Sequence, residues 1–316
     1  QIDGLGGAHP LTSKVGIVRK SNVPGVALDF LFAQLQPDKD TVDTTPNCGN
    51  MLAAVVPFAL ETGMLEVQGD QSTFRVLTLN TDMQCDITVD TRDGMVQYEG
   101  NARIDGAPGT SAPVTINFLD TAGSVCSGLL PTGKVKDTLT VSGAGFEPFT
   151  LDVTCIDNGM PLVMFKASDV GRTKTKIEAL RLQVSVLMGL GDVSQKNFPK
   201  MTLIAPPQKG GAISTRSFIP HVCHDAIGVL AAVTVGTACV LEGSVCDGIA
   251  VMPAGAAKNV SVEHPTGEFS VALQTEPAPQ LPGGQNVTQA ALLRTARLLM
   301  RGEAMVPSAL WSGASA

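Results

Sequence analysis

The stretch CGNMLAAVVPFALETG, residues 48–63, decides how the rest of the chain is read. It opens on polar residues after Asn47, continues through a body of Ala, Val, Leu and Phe, and stops at Gly63. Its apolar body is too uniform for a surface helix, so the segment is predicted to be a central helix enclosed by other structure. CHDAIGVLAAVTVGTACVLEG, residues 223–243, repeats the design after Pro220 and stops at Gly243. Cys-Gly-Asn, an Ala/Val body and Leu60-Glu61-Thr62-Gly63 in one match Cys-His-Asp, an Ala/Val body and Leu241-Glu242-Gly243 in the other. This weak duplication predicts two halves, each wound around one buried helix, with the helix starts facing each other across a cleft.

Most of the remaining sequence reads as short strands. TFRVLTLN, CDITVDT, VQYEGNARID, VTINFLD and DTLTVSG alternate with period two or are rich in β-branched residues, and FTLDVTCIDNG, PLVMF, PKMTLIAPP and FSVALQTE repeat this later. Lys176–Met188 has the amphipathic spacing of a surface helix, and residues 277–289 read as a Pro/Gly-rich loop. The class is α+β. The 316 residues exceed the roughly 250 at which single cores stop growing, which predicts two domains. We divide them as 1–150 with 300–316, and 151–299.

Charge excludes several partners. The net charge of −7 leaves no basic footprint for nucleic acid or anionic lipid. The longest near-apolar run, Ile227–Leu241, is short of the roughly 20 residues a spanning helix needs, so no membrane association is expected. The seven cysteines are scattered, odd in number and without a CxxC pair, which predicts free thiols in a reducing cytoplasm. His221-Val222-Cys223-His224 does not match structural zinc spacing, and Walker and G-x-S-x-G motifs are absent, so no metal or cofactor is expected. The first residues are no signal peptide. The sequence opens on Gln1 in mid-motif, and further residues are expected upstream.

Two side chains stand out chemically. Cys48 lies between Asn47 and Gly49 at a predicted helix start, where unpaired N–H groups and the helix dipole stabilise a thiolate or bind a carboxylate. A buried structural cysteine is the ordinary alternative, and it is the reading applied to Cys85, Cys126, Cys155, Cys239 and Cys246. Lys14 precedes Val15-Gly16-Ile17-Val18, at the mouth of a predicted strand; partial desolvation there suits a lysine to act as a base, while a solvated surface charge is the bland reading. Candidate anion ligands are Asn158, Ser217, His224 at the second helix start, His264, Thr266, Gly267 and Arg294, each individually weak, and Gly49 permits close approach by a ligand.

Several stretches, taken together, carry a resemblance: QIDGLGGAHPLTSK (1–14), NCGN (47–50), TCIDNGMP (154–161), GDVSQKNFPKM (191–201), RSFIPHVCH (216–224), EHPTGEF (263–269) and RTARLLMRG (294–302). With these the chain resembles the PrpF-like isomerases, which have the diaminopimelate epimerase fold. The resemblance implies two pseudo-symmetric β-rich domains with the site between them. It implies a cofactor-independent proton shuttle on an unsaturated tricarboxylate, with Lys14 and Cys48 as the acid/base pair and with Thr12, Ser13, Asn47 and Asn50 added to the substrate ligands. 4-Oxalomesaconate, an intermediate of bacterial aromatic catabolism, is the leading expected substrate; aconitate, methylaconitate and methylitaconate are alternatives. A two-thiol racemase using Cys48 and Cys223, and a non-catalytic polycarboxylate-binding protein, stay open, as does a homodimer. The family normally opens with a strand bearing M-R-G-G-T-S-K-G, which nothing here matches, and the segment Arg172–Lys176 is shorter than in family members.

Overall fold

The computed structural model describes residues 12–36, 41–44, 48–105, 108–170, 174–219, 221–303 and 305–306. The expectations about an opening strand, Asn47 and the loop at Arg172 fall outside them. In the first half, β1 (Lys14–Lys20) pairs antiparallel with β2 (Leu28–Leu35), and β3 (Val42–Asp43) pairs with the end of β2. Two short helices follow, α1 (Gly49–Leu52) and α2 (Val55–Glu61). β4 (Gln71–Thr78) then returns parallel to β2, and β5 (Met83–Asp90) and β6 (Pro113–Phe118) continue antiparallel.

The second half begins with the hairpin β7 (Asp137–Gly143) and β8 (Phe146–Asp157), then β9 (Pro161–Lys166). Helices α3 (Ala167–Val170) and α4 (Lys174–Leu187) lead to β10 (Lys200–Ala205), parallel to β9, and to β11 (Ile213–Ile219) with the two-residue β12 (Val222–Cys223). The buried helix α5 (Val229–Val240) precedes β13 (Ala257–His264), β14 (Gly267–Pro277) and β15 (Gln285–Thr295). One hydrogen-bonded path runs β1-β2-β4-β5-β6-β15-β14-β13-β11-β10-β9-β8-β7, and the pairing of β6 with β15 joins the halves.

Apolar alternation sorts the sheet into two faces. In β9, Leu162 and Met164 point into a large core with Leu52, Val56, Ala231 and Val235, so both central helices share one continuous interior. Val163 and Phe165 point the other way, into a second cluster under α4. This explains why β9 is buried along nearly its whole length and reads as an unbroken apolar run rather than an alternating one. The α+β class and the two sheet-wrapped central helices are as expected.

Three local expectations are corrected. Residues 48–63 form two short helices, because Pro57 has no N–H to bond the carbonyl of Ala53, and the break falls at Ala53–Ala54. Residues 96–105 form no strand; one isolated bridge, Ala102 to Ser111, remains. Gly100 lies so close to Ala112 that a Cβ would stand 2.7 Å from its Cα, which holds the segment as a close-packed loop. The second helix begins at Val229 rather than near Cys223, since residues 223–228 first complete β12 and a turn.

α5 is fastened to the turn between β8 and β9 by buried hydrogen bonds. Thr121 Oγ1 donates to Asn158 Oδ1, and Asn158 Nδ2 donates to Thr237 Oγ1 at 2.8 Å. Thr234 Oγ1 lies 3.0 Å from the Asn158 carbonyl and 3.1 Å from that of Met160. Asn158→Ala leaves the hydroxyls of Thr121 and Thr237 without this partner, so urea unfolding is expected to show a loss of about 2 kcal/mol or more.

Candidate active site

The site forms where the two central helices begin. Cys48 is the N-cap of α1, in extended conformation, and its carbonyl accepts the first helical bond from Leu52 N–H at 3.0 Å. Gly49, the first residue of α1, abuts Val229, the first residue of α5; a Cβ on Gly49 would stand 2.9 Å from a Val229 methyl. The predicted facing of the helix starts is therefore observed, and it requires the absence of a side chain at position 49.

Lys14 reaches the same point from the sheet. It is the first residue of β1, opposite Gln34 on β2, and its Nζ lies 3.9 Å from Cys48 Sγ and 5.9 Å from the centre of the Phe32 ring. Ser13 beside it is buried, and its carbonyl accepts bonds from Leu35 N–H and Gln34 Nε2. These two bonds fix the entry to β1 and so the direction in which Lys14 leaves the strand. Thr12 and Asn50 are exposed at the rim.

A second group of side chains gathers on the α5 side. Ser217 is buried on β11, with its hydroxyl 2.8 Å from that of Thr202, and its carbonyl accepts His224 N–H. His224 is in the turn before α5, not at its start as expected; its Nδ1 accepts Ala226 N–H at 2.9 Å. Thr266 Oγ1 donates to the Asp225 carbonyl and lies 3.3 Å from His264 Nδ1, which ties the β13–β14 turn to the same place. Burial pushes the His224 imidazole below its ordinary value, helped by Lys200 and opposed by Asp225. His264 is lowered by burial too, and the proximity of His224 adds to this while Glu268 and Asp105 oppose it.

Asn158 and Arg294 have their side chains engaged elsewhere, while Gly267 pairs with His264 at the edge of the cluster. Asn158 has its side chain engaged in the buried bonds to Thr121 and Thr237. Gly267 is packed against Asp105. Arg294 is buried, stacked 3.7 Å from the centre of the Phe269 ring, and burial brings its guanidinium down to about 10, still charged at neutral pH. One residue was overlooked: Lys200, the first residue of β10, whose Nζ would lie 3.8 Å from a Cβ on Gly228 just before α5. Its signal was the one that singled out Lys14, a lysine opening an apolar strand.

Cys223 does not face Cys48. It packs in the cluster under α4, and its Sγ is directed to the His224 carbonyl, 3.7 Å away. The Cys48 thiol instead has the Lys14 amine 3.9 Å away, so the arrangement brings together one thiol and one amine.

Comparison with known proteins places the chain in a family. The family model described as PrpF protein matches residues 1–307. The chain belongs to the PrpF family. Among PrpF-family relatives, the (4E)-oxalomesaconate Delta-isomerase of Novosphingobium sp. (strain KA1) is 50% identical over 320 residues, covering 97% of this chain and 85% of that protein. The 4-oxalomesaconate tautomerase of Pseudomonas putida (strain KT2440) is 45% identical over 327 residues, covering 99% and 86%. The crystal structure of methylitaconate-delta-isomerase superposes with a TM-score of 0.81 at 28% identity, covering 95% of this chain and 83% of that one. This PrpF-family chain is thus an isomerase with the diaminopimelate epimerase-like fold expected of it. Among its described residues no helix is long and apolar enough to cross a membrane.

Both site histidines are expected to be neutral at pH 7, with imidazole titration midpoints by NMR below the ordinary value of about 6.5. Unfolded imidazoles take up protons at higher pH than these two, so acidification through that range is expected to favour the unfolded chain.

Proposed function

We propose that the protein catalyses a 1,3-allylic proton shift on an unsaturated tricarboxylate of the 4-oxalomesaconate type, converting 4-oxalomesaconate to 2-keto-4-carboxy-3-hexenedioate. The observation that carries this reading is the 3.9 Å approach of Lys14 Nζ to Cys48 Sγ at the meeting point of the central helices. The substrate is supported by the names of relatives at 45–50% identity.

The chemistry follows from that pair. Lys14, in its amine form, takes a proton from the methylene between the keto carbonyl and the carbon–carbon double bond. The electron pair left behind delocalises through the conjugated keto acid as a dienolate. The Cys48 thiol then returns a proton two carbons away, so one C–H bond breaks, one forms and the double bond moves. Lys14 is left as ammonium and Cys48 as thiolate, and one proton passed across the short gap between them restores the starting state. General acid–base groups held at such a distance typically contribute 10²–10⁴-fold. No redox step occurs, so none of these transfers calls for a redox cofactor. The substrate is a small anion, drawn to a local cluster of cations against an overall charge of −7.

A panel of oxalomesaconate, trans-aconitate and methylitaconate, followed by ultraviolet absorbance and by NMR in deuterated water, tests this reading. Oxalomesaconate is expected to be turned over fastest and to gain one solvent deuteron. Lys14→Met and Cys48→Ala are each expected to lower kcat by roughly 10²–10⁴-fold, while Cys223→Ala retains most turnover. Faster turnover of methylitaconate would reassign the substrate, and saturable binding of all three without deuterium uptake would reduce the protein to a binding module.

A further inference from the structure

Lys200 is a cation without an internal purpose. It opens β10 on the face that also carries Thr202 and Ile204, which turns it toward the large core and α5 rather than toward α4. Among the described residues its side chain has no ion pair and no hydrogen-bond partner. A half-buried ammonium with nothing to pair with costs stability, because its hydration is partly lost and no counter-charge replaces it. Burial accordingly lowers its affinity for a proton.

The surroundings are built for an anion. The Nζ sits beside Gly228, the N-cap of the twelve-residue α5, and that glycine has no side chain with which to cap the helix. The N–H groups of the first turn of α5 therefore keep their bonding capacity. His224 lies close enough to Lys200 for their charges to interact, and Thr202 and Ser217 add hydroxyls on the adjoining strands. Asp225, whose charge acts on His224 and whose backbone carbonyl accepts the Thr266 hydroxyl, makes no ion pair with Lys200.

The mount is rigid. The segment entering β10 is held by Arg181 of α4, which is fully buried and paired with Glu178 at 2.7 Å. Arg181 Nη1 donates to the carbonyls of Val193 at 3.0 Å and Phe198 at 3.1 Å. The chain position just before Lys200 is thereby set from the opposite face of the sheet. Lys200 is also only a short step from the proton-transfer pair: Cys48 adjoins Gly49, Gly49 touches Val229, and Val229 adjoins Gly228.

We propose that Lys200 is the positioning residue that holds one substrate carboxylate against the start of α5, and that it makes the site select three-carboxylate over two-carboxylate compounds. This rests on the isomerase reading above, in which Lys14 and Cys48 act at the other end of the same molecule. Lys200 then takes no part in proton transfer; it sets where the reacting carbons lie relative to the Lys14–Cys48 pair.

Calorimetric titration with two stable probes tests the assignment without requiring turnover: propane-1,2,3-tricarboxylate, and propane-1,3-dicarboxylate, which lacks one carboxylate. Wild type is expected to bind the tricarboxylate more tightly. Lys200→Met is expected to lose roughly 10- to 100-fold on the tricarboxylate, with little change on the dicarboxylate, and Lys200→Arg is expected to recover part of the loss. The thermal midpoint of Lys200→Met should be unchanged or higher, because an unpaired charge has been removed; a lysine with a structural role would lower it. Lys20→Met, on the exposed end of β1, controls for net charge. Equal weakening on both probes, an unchanged tricarboxylate affinity, or no preference in wild type would each overturn the assignment. In turnover the same variant should raise KM far more than it lowers kcat. If wild type isomerises nothing in the panel yet loses tricarboxylate affinity on Lys200→Met, the proposed reaction fails and the carboxylate anchor stands.

Discussion

The contact between Gly49 and Val229 is the constraint around which the molecule is assembled. Two apolar helix starts are brought together end to end in the middle of a protein, where any side chain at position 49 would hold them apart. Both helices bury aliphatic surface in one continuous core, so the sheet must curve around both of them instead of closing over each separately. The pairing of β6 with β15 is how the backbone meets that demand. Because the helix starts meet, the Cys48 thiol with its neighbour Lys14 stands at one side of the contact, and Gly228 with its neighbour Lys200 stands at the other.

That arrangement would resolve the conflict between an acidic protein and the acidic ligand proposed for it. Long-range attraction is unfavourable at a net charge of −7. Close to the site the balance reverses, because partly desolvated cations interact more strongly over a few ångströms than screened surface charges do at a distance. Stability is lost where this is done: Lys200 is unpaired and the two histidines are held away from their ordinary proton affinity by burial. Buried polar bonds elsewhere, such as those of Asn158 and Arg181, offset that loss and hold the site elements in place.

Much of this was legible in the chain itself. The uniform Ala/Val bodies of residues 48–63 and 223–243 could only be buried, and their matching ends implied halves that face each other. Strands with clean alternation were found, since burial on one face imposes a period of two. Residues 96–105 defeated the same reasoning: their alternation is carried by packing against Ala112 and not by a ladder. The start of α5 was misplaced because Cys223 and His224 look like the polar opening of a helix, whereas pairing with Phe218 and Ile219 claims that stretch for β12.

What the sequence determined by itself was composition-level and local: an α+β protein with two buried helices, a thiol at a helix start, a lysine at a strand mouth, and kinship carried by motifs spread over nearly the whole length. What only the tertiary structure decided was proximity. Lys14 and Cys48 are 34 positions apart and meet at 3.9 Å because β1 and α1 share one core. Lys200 and Gly228 meet because β10 and α5 do, while Asn158 and Cys223, equally promising as isolated residues, are claimed by internal bonds and by the opposite face of the sheet. Spacing along a chain carries helical and strand periodicity, but long-range neighbours are set by which apolar faces must be buried together, and that is a property of the whole fold.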